Sequence, residues 1–254
     1  MFGAFFIVLG LLCSAALAAS ATTCGDSSQA VAASVDYVFD GDTLKLTDGS
    51  VIRLIGINTP EIGHDGDPDE PGAHAARQRL LAILQAGGNR VFLNIGKESK
   101  DRYQRLLAHL YTPEGRNISA MLLREGMGYA IQIPPNLGNL ECYEQAEQAA
   151  RKARKGLWGL SGNILSADHM SGREEGFYLI RGKVERVGKS KRSLWLNLKQ
   201  GPAIRIDWSD WQYFEGWNPD DLEGRDLEVR GWIYRRKGQQ RLKVRHPAAI
   251  HWLD

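Results

Sequence analysis

The sequence predicts a mainly β chain of the α+β class, arranged as two small β-barrels in series. Three observations carry this. Short apolar runs alternate with polar residues and are separated by Gly, Asp and Asn turns; the stretches with helical spacing all precede residue 160; and a Ser/Gly-rich stretch at 161–176 reads as a linker. With 254 residues, each half is long enough to bury its own core.

At the start, an apolar run at 5–12 leads into Ala16-Leu17-Ala18, a small-x-small pattern, and the first charged residue is Asp26. Residues 1–19 read as a secretory signal peptide, though one without Lys or Arg in its n-region. A membrane span needs roughly 20 apolar residues, and Ser14 and Ser20 interrupt this one. A secreted or periplasmic protein is expected. Removing the leader removes Cys13 and leaves Cys24, in the segment 20–33, and Cys142 as an even pair. In an oxidising compartment a Cys24 to Cys142 disulfide is expected, with two partly buried free thiols as the alternative.

The first barrel is expected at 34–160. Strands are predicted at 35–39, 43–47 and 51–58, with Asp48-Gly49 as a hairpin turn between the second and third. After an acidic loop at 63–72, Ala76, Leu80 and Leu84 place an amphipathic helix at 73–85, stopped by Gly87-Gly88. Strands follow at 91–95 and 106–111, then a short helix at 119–125. A third helix at 140–155 runs from Glu141, Glu144 and Glu147 to Arg151, Lys152, Arg154 and Lys155, a charge order that complements the helix dipole. Five strands with a helix between the third and fourth suit an OB-type barrel.

Residues 177–254 carry five further strands, at 177–187, 194–198, 203–208, 227–235 and 241–246, so a second small barrel is expected, with an OB-like form as one option. The net charge is only +2, but residues 172–254 hold 17 Lys or Arg against 12 Asp or Glu. That excess, with Trp195, Trp208, Trp211, Trp217, Trp232 and Trp252, fits single-strand nucleic-acid binding. The competing reading is that at least half of these tryptophans fill a core. Residues 177–254 contain no glycine-rich phosphate loop, CxxC pair or nucleophile elbow, so no second active site is expected.

Chemistry concentrates in three blocks: Asp40-Gly41-Asp42-Thr43, then Arg53 to Asn58-Thr59-Pro60-Glu61, then Asp101-Arg102-Tyr103-Gln104-Arg105. In this order, with Gly156-Leu157-Trp158 closing the last helix, they resemble the staphylococcal nuclease (thermonuclease) family. The resemblance implies a nuclease on an OB barrel with one Ca²⁺, held by Asp42, Asn58 and the backbone carbonyl of Thr59, with Asp40 holding metal-bound water. It makes Glu61 the residue that orients or deprotonates the attacking water, and Arg53 and Arg105 the arginines that bracket the scissile phosphate. Planar guanidinium forks match phosphate oxygens as lysine does not. Arg102 and Tyr103 would contact the nucleotide.

Asn58 stands where the family has a second metal-binding aspartate. An amide oxygen still ligates Ca²⁺, with one formal negative charge fewer. The expectation is therefore a monomeric, Ca²⁺-dependent phosphodiesterase acting on DNA and RNA and leaving 5′-hydroxyl and 3′-phosphate ends. The alternative is a weakened or silent nucleic-acid-binding protein. A transition-metal site at His64 to Glu70 with His74 is disfavoured, since no two of those residues sit on regular structure.

Overall fold

The computed structural model describes residues 24–25, 27–63 and 66–253. The expected signal peptide, Cys13, and His64 and Asp65 of the acidic loop lie outside the described residues.

Chain order in the first half is β1 (Val31–Val38), β2 (Thr43–Leu46), β3 (Val51–Leu54), β4 (Ile57–Asn58), α1 (Ala73–Ala86), β5 (Arg90–Lys100), β6 (Leu106–Tyr111), α2 (Ile118–Arg124), β7 (Tyr129–Ala130) and α3 (Leu140–Lys152). The second half holds β8 (Ile164–Ser166), β9 (Gly176–Lys189), β10 (Ser193–Leu198), β11 (Ala203–Asp207), β12 (Asp226–Arg236), β13 (Gln239–Val244) and β14 (Ile250–Trp252).

The first barrel closes in the order β1-β2-β3-β6-β5, with β3 parallel to β6 and β1 antiparallel to β5. Its core is aliphatic: Leu44, Ile52, Leu54, Leu80, Leu110, Leu122 and Leu123 are buried there. The stretch read as one strand from 51 to 58 is two, because the chain turns at Gly56, whose φ is +85°. A Cβ at Gly56 would lie 2.1 Å from Cε2 of Tyr143, so packing and conformation both demand glycine. Beyond the turn, β4 pairs with β7 instead of continuing the barrel.

The second barrel closes in the order β9-β10-β11-β13-β12, with β12 pairing back onto β9 and β11 parallel to β13. That is the strand order of the first barrel, so both have OB-type connectivity. β14 and β8 extend it at the edges, and β8 lies within the stretch expected as a linker. Trp208, Trp211, Trp217 and Trp252 pack against the second core, whereas Trp232 is 43% exposed and Trp195 is flanked by the guanidinium groups of Arg205 and Arg241. Core filling accounts for most of the tryptophans.

The barrels meet along α3 and β12. Glu147 and Arg151, one helical turn apart, face Arg230 and Glu228, which are two residues apart on one strand face. Arg230 Nη1 donates to both carboxylate oxygens of Glu147 at 2.7 Å, and Arg151 forks onto Glu228 at 2.6 and 2.7 Å. Arg181 adds a 3.0 Å contact to Glu228, whose carboxyl lies below its ordinary range because these guanidinium groups outweigh its burial. Beside the pairs, Ala150, Trp158 and Leu179 form a small apolar cluster with Tyr129, Ile164 and Phe177. The expected disulfide is present, Cys24 to Cys142 with Cα atoms 5.6 Å apart, tying the segment before β1 to α3. Among the described residues no helix is long and apolar enough to cross a membrane.

Candidate active site

The turn between β1 and β2 carries Asp40, Gly41 and Asp42. Asp40 Oδ1 accepts the Asp42 N–H at 2.8 Å, closing the turn on itself. The turn packs so tightly on α1 that a Cβ at Gly41 would lie 2.6 Å from the Cβ of Ala76 and 2.8 Å from Cγ2 of Thr59. Small residues on both sides are what let α1 press this turn against the end of β4.

Asp42 is wholly buried and is the centre of the site. Its Oδ1 accepts from Thr43 Oγ1 at 3.0 Å and lies 3.0 Å from Arg53 Nε in an ion pair. Its Oδ2 accepts from the Thr59 N–H at 2.7 Å and from Thr59 Oγ1 at 3.1 Å. Desolvation nevertheless pushes its pKa up to about 6, with Arg53 lowering it and the charge of Asp40 raising it. Asp40 is also raised, chiefly by burial, with Glu61 adding repulsion. Glu61 is raised by desolvation and by the charge of Asp42, with Arg53 lowering it. Three carboxyl groups thus crowd around one arginine.

Arg53, on β3, has little freedom. Nη1 donates to the carbonyls of Leu54 and Ile57, both at 2.7 Å, and Nη2 donates to Asn58 Oδ1 at 3.0 Å. Three of the five guanidinium N–H groups are thus hydrogen-bonded, and Nε lies 3.0 Å from Asp42 Oδ1 in an ion pair. Asn58 is 4% exposed, and its amide oxygen, assigned from the hydrogen-bond pattern, faces Arg53.

Arg105 is held apart from this node, at the start of β6. Its Nε donates to Asp101 Oδ2 at 2.7 Å and its backbone N–H to Asp101 Oδ1 at 3.0 Å. Because β3 and β6 run in parallel register, with Arg53 opposite Leu107, Arg105 stands near the end of the strand that carries Arg53. Tyr103 is 62% exposed, with the guanidinium carbons of Arg102 and Arg105 at 4.6 and 5.4 Å from its ring centroid. Tyr103 and Arg105 border a groove of about 410 Å³ that also takes in Lys100 and Ser50, two residues that the motif blocks do not contain. Neither belongs to a pattern in the sequence; only the fold of β5 and the β2–β3 turn brings them to Arg105.

The donors suit a hard cation. They are all oxygen, and the mutually raised carboxyls Asp40, Asp42 and Glu61 mark an excess of negative charge that a divalent ion would relieve. The expected ligands Asp42, Asn58 and Thr59 are brought together, with Arg53 bonded to the first two. Among the described residues no three or more His, Cys, Asp or Glu are grouped closely enough to hold a metal by themselves, here included, so amide and backbone oxygens would have to complete the shell.

Known proteins place this geometry. Residues 51–159 match the family model of staphylococcal nuclease homologues. The chain is 29% identical over 185 residues to endonuclease YhcR of Bacillus subtilis, an alignment covering 68% of this chain and 15% of that protein. It is 34% identical over 127 residues to the thermonuclease of Staphylococcus intermedius, covering 49% of this chain and 74% of that protein. A probable endonuclease, lcl3, of Aspergillus terreus is 33% identical over 84 residues, covering 30% of this chain and 27% of that protein. The chain thus spans most of the thermonuclease but only a small part of YhcR and lcl3. With the barrel, the family match and a relative matched over most of its length in agreement, the chain belongs to the staphylococcal nuclease homologue family.

Proposed function

We propose that the protein is a Ca²⁺-dependent phosphodiesterase that hydrolyses DNA and RNA to 5′-hydroxyl and 3′-phosphate ends. The observation that carries this reading is the buried node of Asp42, Arg53, Asn58 and Thr59, flanked by Glu61 with its raised carboxyl. Asp42, Asn58 and the Thr59 carbonyl would hold the cation, with Asp40 acting through water. When bound, Ca²⁺ supplies polarisation of a phosphoryl oxygen.

The remaining steps belong to side chains. Glu61 accepts a proton from water and directs it at phosphorus, a task served by a carboxyl raised toward neutral pH. Arg53, ion-paired to Asp42 and bonded to two carbonyls through Nη1, keeps one Nη2 N–H to offer a phosphate oxygen and gains the other if Asn58 lets go. Arg105 approaches from β6, and together the two guanidinium groups neutralise charge that grows on the phosphoryl oxygens. Tyr103, backed by Arg102, offers a face to a base or sugar. The Cys24–Cys142 bridge supports a secreted or periplasmic location, since disulfides persist in oxidising compartments.

A second reading rests on the Asn58 contact. Because the amide oxygen already serves Arg53, the chain would bind nucleic acid without cutting it. The experiment is cleavage of single-stranded and duplex DNA with Ca²⁺ or chelator, by the parent, Glu61→Ala and Asn58→Asp. Ca²⁺-dependent cleavage that falls about 10²- to 10⁴-fold in Glu61→Ala upholds the phosphodiesterase. An inert parent whose activity returns in Asn58→Asp upholds the binder instead.

A further inference from the structure

A cleft of about 320 Å³ lies between the barrels, outside the hydrolytic site. The first barrel contributes Gln132 and Ile133, which follow β7; the second contributes Trp232 and Tyr234 from β12 and Lys243 and Arg245 from and beyond β13. Its size falls in the range of small-molecule pockets.

Three features give the cleft a chemistry. Its walls are apolar yet open, with Trp232 43% and Ile133 39% exposed. Trp232 is fixed edge-on against Phe177 at 5.0 Å, and Phe177 is stacked on Tyr129 at 5.7 Å, so the indole is a supported platform. Gln132 is 8% exposed and its Oε1 is shielded from solvent with no hydrogen-bond donor. A buried acceptor without a partner is costly, and the terminal amide torsion is soft enough to turn that oxygen to a donor.

The cations contribute less than their number suggests. Lys243 Nζ is 2.8 Å from Asp207 and 4.0 Å from Asp210, Arg245 reaches Asp210 at 3.4 Å, and Arg230 is taken by Glu147. The cleft therefore suits a flat ring with an N–H donor more than a phosphate. A lipid chain would leave Gln132 unanswered. The cleft is tied to the hydrolytic site through the chain, because Tyr129 pairs with Asn58 across β4 and β7, and Gln132 lies roughly 10 Å of extended chain farther on.

We propose that this cleft takes one unpaired nucleobase of the strand whose phosphodiester lies at the Asp42–Arg53 node, the ring against Trp232 and a ring N–H donated to Gln132 Oε1. The inference rests on the phosphodiesterase reading for the identity of the polymer. It makes the second barrel part of substrate recognition, through stacking and with only a shallow dependence on salt.

The test uses the full chain with chelator present, and fluorescence anisotropy of a labelled oligothymidylate and of an abasic oligomer of equal length. Thymidine 3′-phosphate is a third probe. Trp232→Ala and Tyr234→Ala are expected to weaken oligothymidylate binding at least about fivefold and leave the abasic oligomer unaffected. Gln132→Leu is expected to weaken binding while raising thermal stability, an opposition that a purely structural role would not produce.

In parallel, hydrolysis of a small diester that carries no base, bis(4-nitrophenyl) phosphate, is measured for the parent with Ca²⁺ and with chelator. Equal affinity of parent and variants for oligothymidylate, or parent affinity for the abasic oligomer equal to that for oligothymidylate, overturns the inference, and diester hydrolysis then still stands for the phosphodiesterase. Binding of thymidine 3′-phosphate with exclusion of the oligomer also overturns it. Base-dependent binding without diester hydrolysis removes the phosphodiesterase reading and keeps the cleft as a base-binding site.

Discussion

Gln104 sits at φ +65°, in the left-handed region that disfavours a side chain, directly beside Arg105. Gln104→Gly should raise stability by about 1 kcal/mol in urea denaturation, and a destabilised variant would show that Gln104 makes compensating contacts. His109 carries a different kind of strain. It is 7% exposed with Nδ1 2.7 Å from the Tyr143 hydroxyl, and burial lowers its pKa to about 4. The unfolded imidazole titrates near 6.5, so the folded chain has the full benefit of a neutral His109 above that pH. That benefit, about 3 kcal/mol, is lost as pH falls from 6.5 toward 4. A His109→Gln variant that still folds should show a flatter stability profile over this window, and an unchanged profile would exclude His109 as the sensor. The proposed metal site is also a matter of single residues. Asn58→Asp should bind Ca²⁺ more tightly by isothermal titration calorimetry, because it restores a ligand charge; unchanged affinity would mean that Arg53 neutralises the added carboxylate.

Most barrel strands and all three helices announce themselves in the sequence because each buries one face and so repeats with its own period. What escapes such a reading is short or non-local. β4, β7, β8 and β14 have two or three residues each, too few for a period to form. The break at Gly56 depends on Tyr143, which lies far along the chain on α3. At the site, the motif blocks were legible, but the engagement of Arg53 by Asn58 and two carbonyls was not, since it follows from how β3 turns into β4. Between the barrels, the opposite charges one turn apart on α3 and two residues apart on β12 could each be seen, without their mutual pairing. Removing one partner leaves a buried charge alone. Arg230→Ala, which strands the buried Glu147, should therefore cost about 3–5 kcal/mol by chemical denaturation, and a loss below about 1 kcal/mol would mean that water replaces the partner.

At the scale of the molecule, the chain is two barrels of one connectivity joined by ion pairs and a small apolar cluster, with a disulfide inside the first half. The Cys24–Cys142 bridge closes a separation of 118 residues, spanning nearly the whole first barrel. Replacing both cysteines with serine should cost about 2–5 kcal/mol by thermal or urea denaturation, and no loss would show that the segment before β1 is held without it. The arrangement of charges on α3 and β12 has a further consequence for how this chain can change over time. Glu147 meets Arg230 and Arg151 meets Glu228 in crossed order, so reversing the sign of any one of the four sets two like charges face to face in a dry seam. Single-substitution routes to the mirrored arrangement must pass through such a state. Each barrel is thus free to drift over its outer surface, while this seam fixes which second barrel a given first barrel can accept.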